Sequence, residues 1–166
     1  MKYNSPLDDP IPDPERFRKS KLVKTLFTVE ALLWCGRFVA AFLIMESVQG
    51  GSELVILSSL ILAILYMVVP HLLMASKSRW ERIGSFGVGF SLAFALLMRM
   101  LYFASWPGAA ELAHITFPLV GVVGIGILFS LIAKPSSWSE APFYKHALIR
   151  LLLAAWFSIG AFLNVI

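Results

Sequence analysis

Residues 54–75 read LVILSSLILAILYMVVPHLLMA, a stretch of 22 residues without one Asp, Glu, Lys or Arg. As a helix it would measure about 33 Å, enough to cross a hydrocarbon core of about 30 Å. Four further apolar stretches are long enough, at 25–47, 83–104, 112–133 and 147–166; only 112–133 is equally free of charge, and 25–47 is the weakest because it holds Glu30, Arg37 and Glu46. The spacing predicts an all-α, polytopic membrane protein: a five-helix transmembrane bundle. Composition agrees. The chain has 166 residues, of which 58% are hydrophobic and 14% charged, against roughly 45–50% and about 25% in soluble domains. Mean hydropathy is +0.79. A disordered chain, a coiled coil and most soluble enzymes are excluded. Too few residues lie outside the spans to form a soluble catalytic domain, so any chemistry has to sit in the helices or at their ends.

Residues 1–24 are expected to form a Pro-rich and basic cytoplasmic tail, and 25–166 a single transmembrane domain. The stretch 1–14 (MKYNSPLDDPIPDP) has four prolines and no apolar run. It reads as an extended tail rather than a signal peptide. Residues 15–24 (ERFRKSKLVK) carry Arg16, Arg18, Lys19, Lys21 and Lys24. They read either as a topogenic signal or as a collar on anionic headgroups. The net charge of +4 therefore points to lipid headgroups, and nucleic acid is not expected. Lys77, Arg79 and Arg82 follow the second span, and Lys134 and Lys145 the fourth. The first and third connections hold no Lys or Arg and carry or adjoin Glu46, Glu53 and Glu111. This asymmetry predicts the N-terminus inside and the C-terminus outside. Trp80, Trp106, Trp138 and Tyr144 fall at expected interfaces. The expected location is a bacterial cytoplasmic (inner) membrane.

Leu43, Ser47, Gly50, Glu53 and Leu54 match Leu101, Ser105, Gly108, Glu111 and Leu112 at a constant offset of 58. Two readings stand: a parallel repeat of two hairpins followed by a fifth span, or the shared demands of a tight helical turn. The second turn, RMLYFASWPGAAEL (residues 99–112), resembles the hairpin of small multi-span membrane proteins related to the gliding-motility motor's membrane subunit. Those have a Lys and then His-Trp-Pro-Gly-Ala. Here Arg99 is spaced differently, and Ser105 stands where the histidine would. The resemblance covers about fourteen residues, and motor activity is not carried over with it.

Ionisable groups at membrane depth are costly, and each is a candidate site. Arg37 leans back toward Glu30, seven residues and about 10 Å of rise away. The pair reads as an intrahelical tie or as the lining of a cytoplasm-facing cavity. Arg99 leans toward the membrane centre. Glu46 is its first expected partner and Glu111 its second, with an outward-facing substrate or ion site as the alternative. Arg150 is expected to snorkel to cytoplasmic headgroups. His71, His114 and His146 sit at unlike depths, and no His/Glu/Asp spacing fits a metal, so no cofactor is expected. Ser58, Ser59 and Ser130 read as ordinary helix-packing hydroxyls. Cys35 is the single cysteine, which excludes an intramolecular disulfide. Pro70 and Pro118 are expected to bend their helices. Gly84, Gly87 and Gly89 in the third span, with Gly121, Gly124 and Gly126 in the fourth, are expected to pack those two helices closely.

Two function classes follow. One is a non-enzymatic structural or accessory subunit of a membrane complex, partnered by another membrane protein or by further copies of itself. The other is a small transporter or channel using Arg37, Arg99 and Glu30. No catalytic constellation is visible.

Overall fold

The computed structural model describes residues 14–74, 76, 79–133 and 142–162. The described residues form helices joined by short turns, with no strand among them: α1 (Pro14–Met45), α2 (Gly51–Val68), α3 (Pro70–Leu73), α4 (Arg79–Phe103), α5 (Ala109–Ala133) and α6 (Pro142–Phe162). Four helices are long and apolar enough to cross a membrane: Ser20–Met45, Gly51–Val68, Arg79–Phe103 and Glu111–Ile132. The Pro-rich stretch 1–13, Lys77, Lys134 and Trp138 lie outside the described residues.

α1 runs as one helix of 32 residues through the basic segment, without a break at the expected boundary near residue 24. It would measure about 48 Å, so it outreaches a hydrocarbon core. α2 stops at Val68. Pro70 lacks an N–H and its ring collides with the turn before it, so a separate turn, Pro70–Leu73, carries the chain onward. Pro118 differs, because α5 continues through it. A polar N–H lost inside a spanning helix is tolerated where the surrounding turns re-satisfy the backbone.

α4 is the centre. Half of its membrane-length window is buried (50%), against 11% for α5 and 17% for α1. Its small residues explain why. An added Cβ at Gly84 would meet Phe143 of α6 at 3.1 Å and Ile127 of α5 at 3.4 Å, and one at Gly87 would meet Val123 of α5 at 3.3 Å. At Gly89 it would clash with the Tyr66 carbonyl oxygen and come within 2.7 Å of Pro70 Cβ. The break between α2 and α3 is thus seated against Gly89, where α4 has no side chain. Gly121, Gly124 and Gly126 do not join this packing. A Cβ at any of them meets nothing within 4 Å. The close approach expected of both helices falls on α4's glycines alone, because α5 turns its Val123 and Ile127 inward and its glycines away.

Leu62, Tyr66, Leu73, Leu92 and Leu96 form one buried cluster, and Met74, Val88, Ile127, Phe143 and Leu151 another. Tyr144 belongs to the second cluster at 8% exposure, so it is core rather than the expected interfacial ring. Trp80 is exposed at the start of α4 and Trp106 in the α4–α5 turn.

The α1–α2 and α4–α5 turns are built alike, bond for bond. Ser47 N–H donates to the Ile44 carbonyl (3.0 Å) and Val48 N–H to that of Leu43 (2.9 Å). Ser105 N–H donates to the Tyr102 carbonyl (3.1 Å) and Trp106 N–H to that of Leu101 (3.0 Å). Each is a Schellman closure. Ser47 (φ 56°) and Ser105 (φ 52°) take the left-handed position, and Gly50 (φ 92°) and Gly108 (φ 98°) take the second one, before the next helix begins. The matching residues in the sequence therefore mark matching geometry.

Candidate functional site

The buried charged side chains among the described residues are Glu30, Arg37, Arg99 and Arg150, each 5–6% exposed. They sort into two layers along α1. Glu30, Trp34 and Arg37 are spaced i, i+4, i+7, which places them on one helix face.

The first layer is centred on Glu30. Nη2 of Arg150, from α6, donates to both carboxylate oxygens at 2.6 Å. The Tyr66 hydroxyl of α2 donates to Oε1. Trp34 Nε1 donates in turn to the Tyr66 oxygen at 3.1 Å. Arg150 Nη1 reaches back to the His146 carbonyl at 3.3 Å. One carboxylate thus ties α1, α2 and α6 together. A buried ion pair survives only when further hydrogen bonds satisfy its lone pairs, and Tyr66 supplies one. Arg150 does lean toward its own N-terminus, as helix geometry requires, but its end point is Glu30 and not the headgroup layer. The Glu30–Arg37 tie expected within α1 is therefore replaced by a tie between helices. A cross-helix guanidinium can come straight alongside the carboxylate, whereas Arg37 would have to stretch about 10 Å along the helix axis.

The second layer lies nearer the hairpin turns. Arg37 Nη1 donates to the Ser59 hydroxyl of α2, which itself donates to the Val55 carbonyl at 2.5 Å. Ser59 is therefore a ligand of an arginine and more than a packing hydroxyl. The Arg37 guanidinium sits 5.0 Å from the centroid of Phe157 in α6, and that of Arg99 sits 5.4 Å from Phe103. Both arginines line one cavity of about 250 Å³, with Trp34, Phe38, Val55 and Phe157 among its walls. Its other residues include Ile44, Met45 and Phe103, so it lies toward the hairpin turns and away from the basic end of α1. Glu46 and Glu111 are exposed, at the α1–α2 turn and in the first turn of α5. Both expected partners are thus exposed, whereas Arg99 is buried.

The histidines are dispersed. His71 stacks on Phe86 at 5.8 Å, His146 packs on Phe27 at 5.6 Å, and His114 is exposed. Sequence reasoning missed Tyr66 and Trp34. Their signal was an aromatic with a polar tip amid aliphatics at membrane depth. Such a tip needs a partner.

No protein-family model, curated protein or solved structure matches the chain.

Proposed function

We propose that this is an integral protein of a bacterial cytoplasmic membrane with five spans, its N-terminus inside, serving as a non-enzymatic structural or accessory subunit of a membrane complex. α6 is the fifth span. Its 21 residues would measure about 31 Å, close to a hydrocarbon core. Its Arg150 lowers its hydropathy, yet that charge is met inside the bundle by Glu30. The basic residues at one end of the helices and their absence from both hairpin turns support the orientation.

The observation that carries the subunit reading is the outer face of α5. His114, Phe117, Pro118, Gly121, Ile125 and Leu128 are exposed along it, and at Gly121 the surface is notched to the backbone. Small residues flanked by large apolar ones let a second helix approach closely, and in lipid such packing drives association. Purification in gentle detergent followed by native mass spectrometry tests this. A different protein in fixed stoichiometry, lost on Gly121→Leu, supports it. A monomer in every condition refutes it. A second reading, a small transporter, is favoured by the cavity with two arginines. For it, Arg99→Ala should fold and lose a reconstituted flux.

A further inference from the structure

We propose that the exposed face of α5 docks on the exposed face of α1 in a second copy of this chain, as α2 docks on α4 within one copy. This deepens the subunit reading, on which it rests, by naming the occupant of the α5 face. The two hairpins share their turn geometry at the offset of 58, so α1 corresponds to α4 and α2 to α5. Within one chain, α2 packs on α4 more extensively than any other pair of helices packs among the described residues. That contact has two halves, and the repeat supplies each half twice. α2 and α4 use one of each. α5 keeps the second version of the α2 half, and α1 the second version of the α4 half.

The matching residues bear this out position by position. On α2, Ala63 is buried in one cluster with Ala93 of α4, Met67 packs against that cluster, and Pro70 lies 2.7 Å from a Cβ added at Gly89. Their counterparts on α5 are Gly121, Ile125 and Leu128, all exposed. The α4 residues Gly89, Ala93 and Met100 correspond to Ala31, Cys35 and Phe42 on α1, again all exposed. Residue size is kept where the helices come closest: Gly121 stands for Ala63, and Ala31 and Cys35 for Gly89 and Ala93. Small residues at such places allow close packing in lipid. Depth agrees as well. Ala31 and Leu128 are remote from the hairpin turns, and Cys35 and Gly121 are nearer to them. Parallel repeats are related by an axis along the membrane normal, so a copy placed by the same operation keeps the same topology, as every inserted copy must. A contact between unlike faces is heterologous, and it closes into a ring or continues as a row.

Cysteine pairs in native membranes test the contact, since a disulfide joins only Cα atoms within about 7 Å. Ala31→Cys with Leu128→Cys, on a Cys35→Ser background, mirrors Gly89 against Pro70. Gly121→Cys with the native Cys35 mirrors Ala63 and Ala93. All four positions are exposed, and a Cβ at Gly121 meets nothing within 4 Å, so the variants should keep the fold. On mild oxidation each pair is expected to give covalent dimers and a ladder of higher multimers, because every copy offers one thiol to each of two neighbours. Two differently tagged chains, one with only Ala31→Cys and the other with only Leu128→Cys, both on Cys35→Ser, are expected to join as mixed dimers and stop there. Val122→Cys, on the neighbouring flank of α5, is expected to lose the ladder with Cys35. Absence of a ladder from both pairs overturns the proposal. So do dimers as abundant from one thiol alone as from the pair, which would mean contact between like faces. The native mass spectrum reads the subunit reading separately. A different protein in fixed stoichiometry without any ladder overturns the second copy and keeps that reading, whereas a monomer in every condition ends both.

Discussion

Replacing Glu30 by methionine removes the only carboxylate from the buried charged set and leaves the rest of the pair in place. Arg150 then keeps a 3.3 Å bond to the His146 carbonyl, and its Nε has no hydrogen-bond partner even in the intact protein. A buried charge stripped of its partner costs about 3–5 kcal/mol. Arg150→Met should cost about as much, since Glu30 would keep only the Tyr66 hydroxyl. The double variant Glu30→Met/Arg150→Met buries two apolar side chains of similar length where the pair stood. It should recover most of the loss, because well-packed apolar replacements of buried pairs are often neutral or stabilising. The coupling energy between the two sites should then be on the order of 3 kcal/mol. Neutral hydrogen bonds between membrane helices average only about 0.6 kcal/mol by the same kind of cycle, so the two cases are distinguishable. Reversible unfolding in mixed micelles, or steric trapping in bicelles, gives all four free energies. Near-additive losses, with coupling at or below about 0.6 kcal/mol, would refute the claim that this pair fastens α6 to α1.

Further outcomes follow from the same geometry. Tyr66→Phe should cost about 1.5–3 kcal/mol, the range of a hydrogen bond to a charged group, and add little in a Glu30→Met background. Gly89→Ala should destabilise by about 1–3 kcal/mol or more through overpacking on Pro70, whereas Gly121→Ala should stay within about 0.5 kcal/mol of wild type; thermal unfolding in detergent compares them. Ser105→Val should cost roughly 1–2 kcal/mol by forcing a branched residue into the left-handed region, and Ser105→Gly should not; the same pair at Ser47 should give closely matching values. On a Cys35→Ser background, Gln49→Cys and Pro107→Cys should both react with an impermeant maleimide added outside, and Arg79→Cys only after permeabilisation. Reaction of Gln49→Cys and Pro107→Cys from opposite sides would break the hairpin topology.

Hydropathy carried most of the architecture, because a spanning helix must satisfy its backbone internally and can expose few charges. Residues 54–75 and 112–133 needed no other argument. The boundaries were less legible. Nothing in a window average shows that α1 begins at Pro14, since basic residues are good helix formers. The break at Val69 depends on a tertiary contact with Gly89 as well as on Pro70. The candidate residues Glu30, Arg37 and Arg99 were visible as charges at depth, whereas Arg150 was expected at the headgroups. Their partners were not visible. Within α1 the spacing of Glu30 and Arg37 offered an evident pair, and only the placement of α6 beside α1 brings Arg150 to the carboxylate instead. Partner choice among four helices is a property of packing, and periodicity reports only which face a residue shares.

The repeat offers a control for what the charges are for. At the offset of 58, Glu30, Trp34 and Arg37 correspond to Val88, Leu92 and Ala95, and Ser59 and Tyr66 to Phe117 and Gly124. Glu30, Arg37 and Ala40 are buried on α1, as are Val88, Ala95 and Met98 at the matching places on α4. The second hairpin therefore forms the same turn with apolar residues at these matching places. Closing a hairpin of this kind does not require a glutamate, a tyrosine or an arginine at these positions. Their place in the first hairpin has to be explained by how that hairpin meets α6: long side chains bridge α1 to α6, whereas α4 and α5 pack on α6 directly. Two of the charges, Glu30 and Arg150, bridge α1 to α6 in this way. Arg37 does not, since its hydrogen bond returns to its own hairpin at Ser59 and, among the described residues, it reaches α6 over the Phe157 ring. An apolar residue there would close the hairpin as Ala95 does. A buried arginine that neither the turn nor the helix tie needs is the residue whose loss should leave the fold standing.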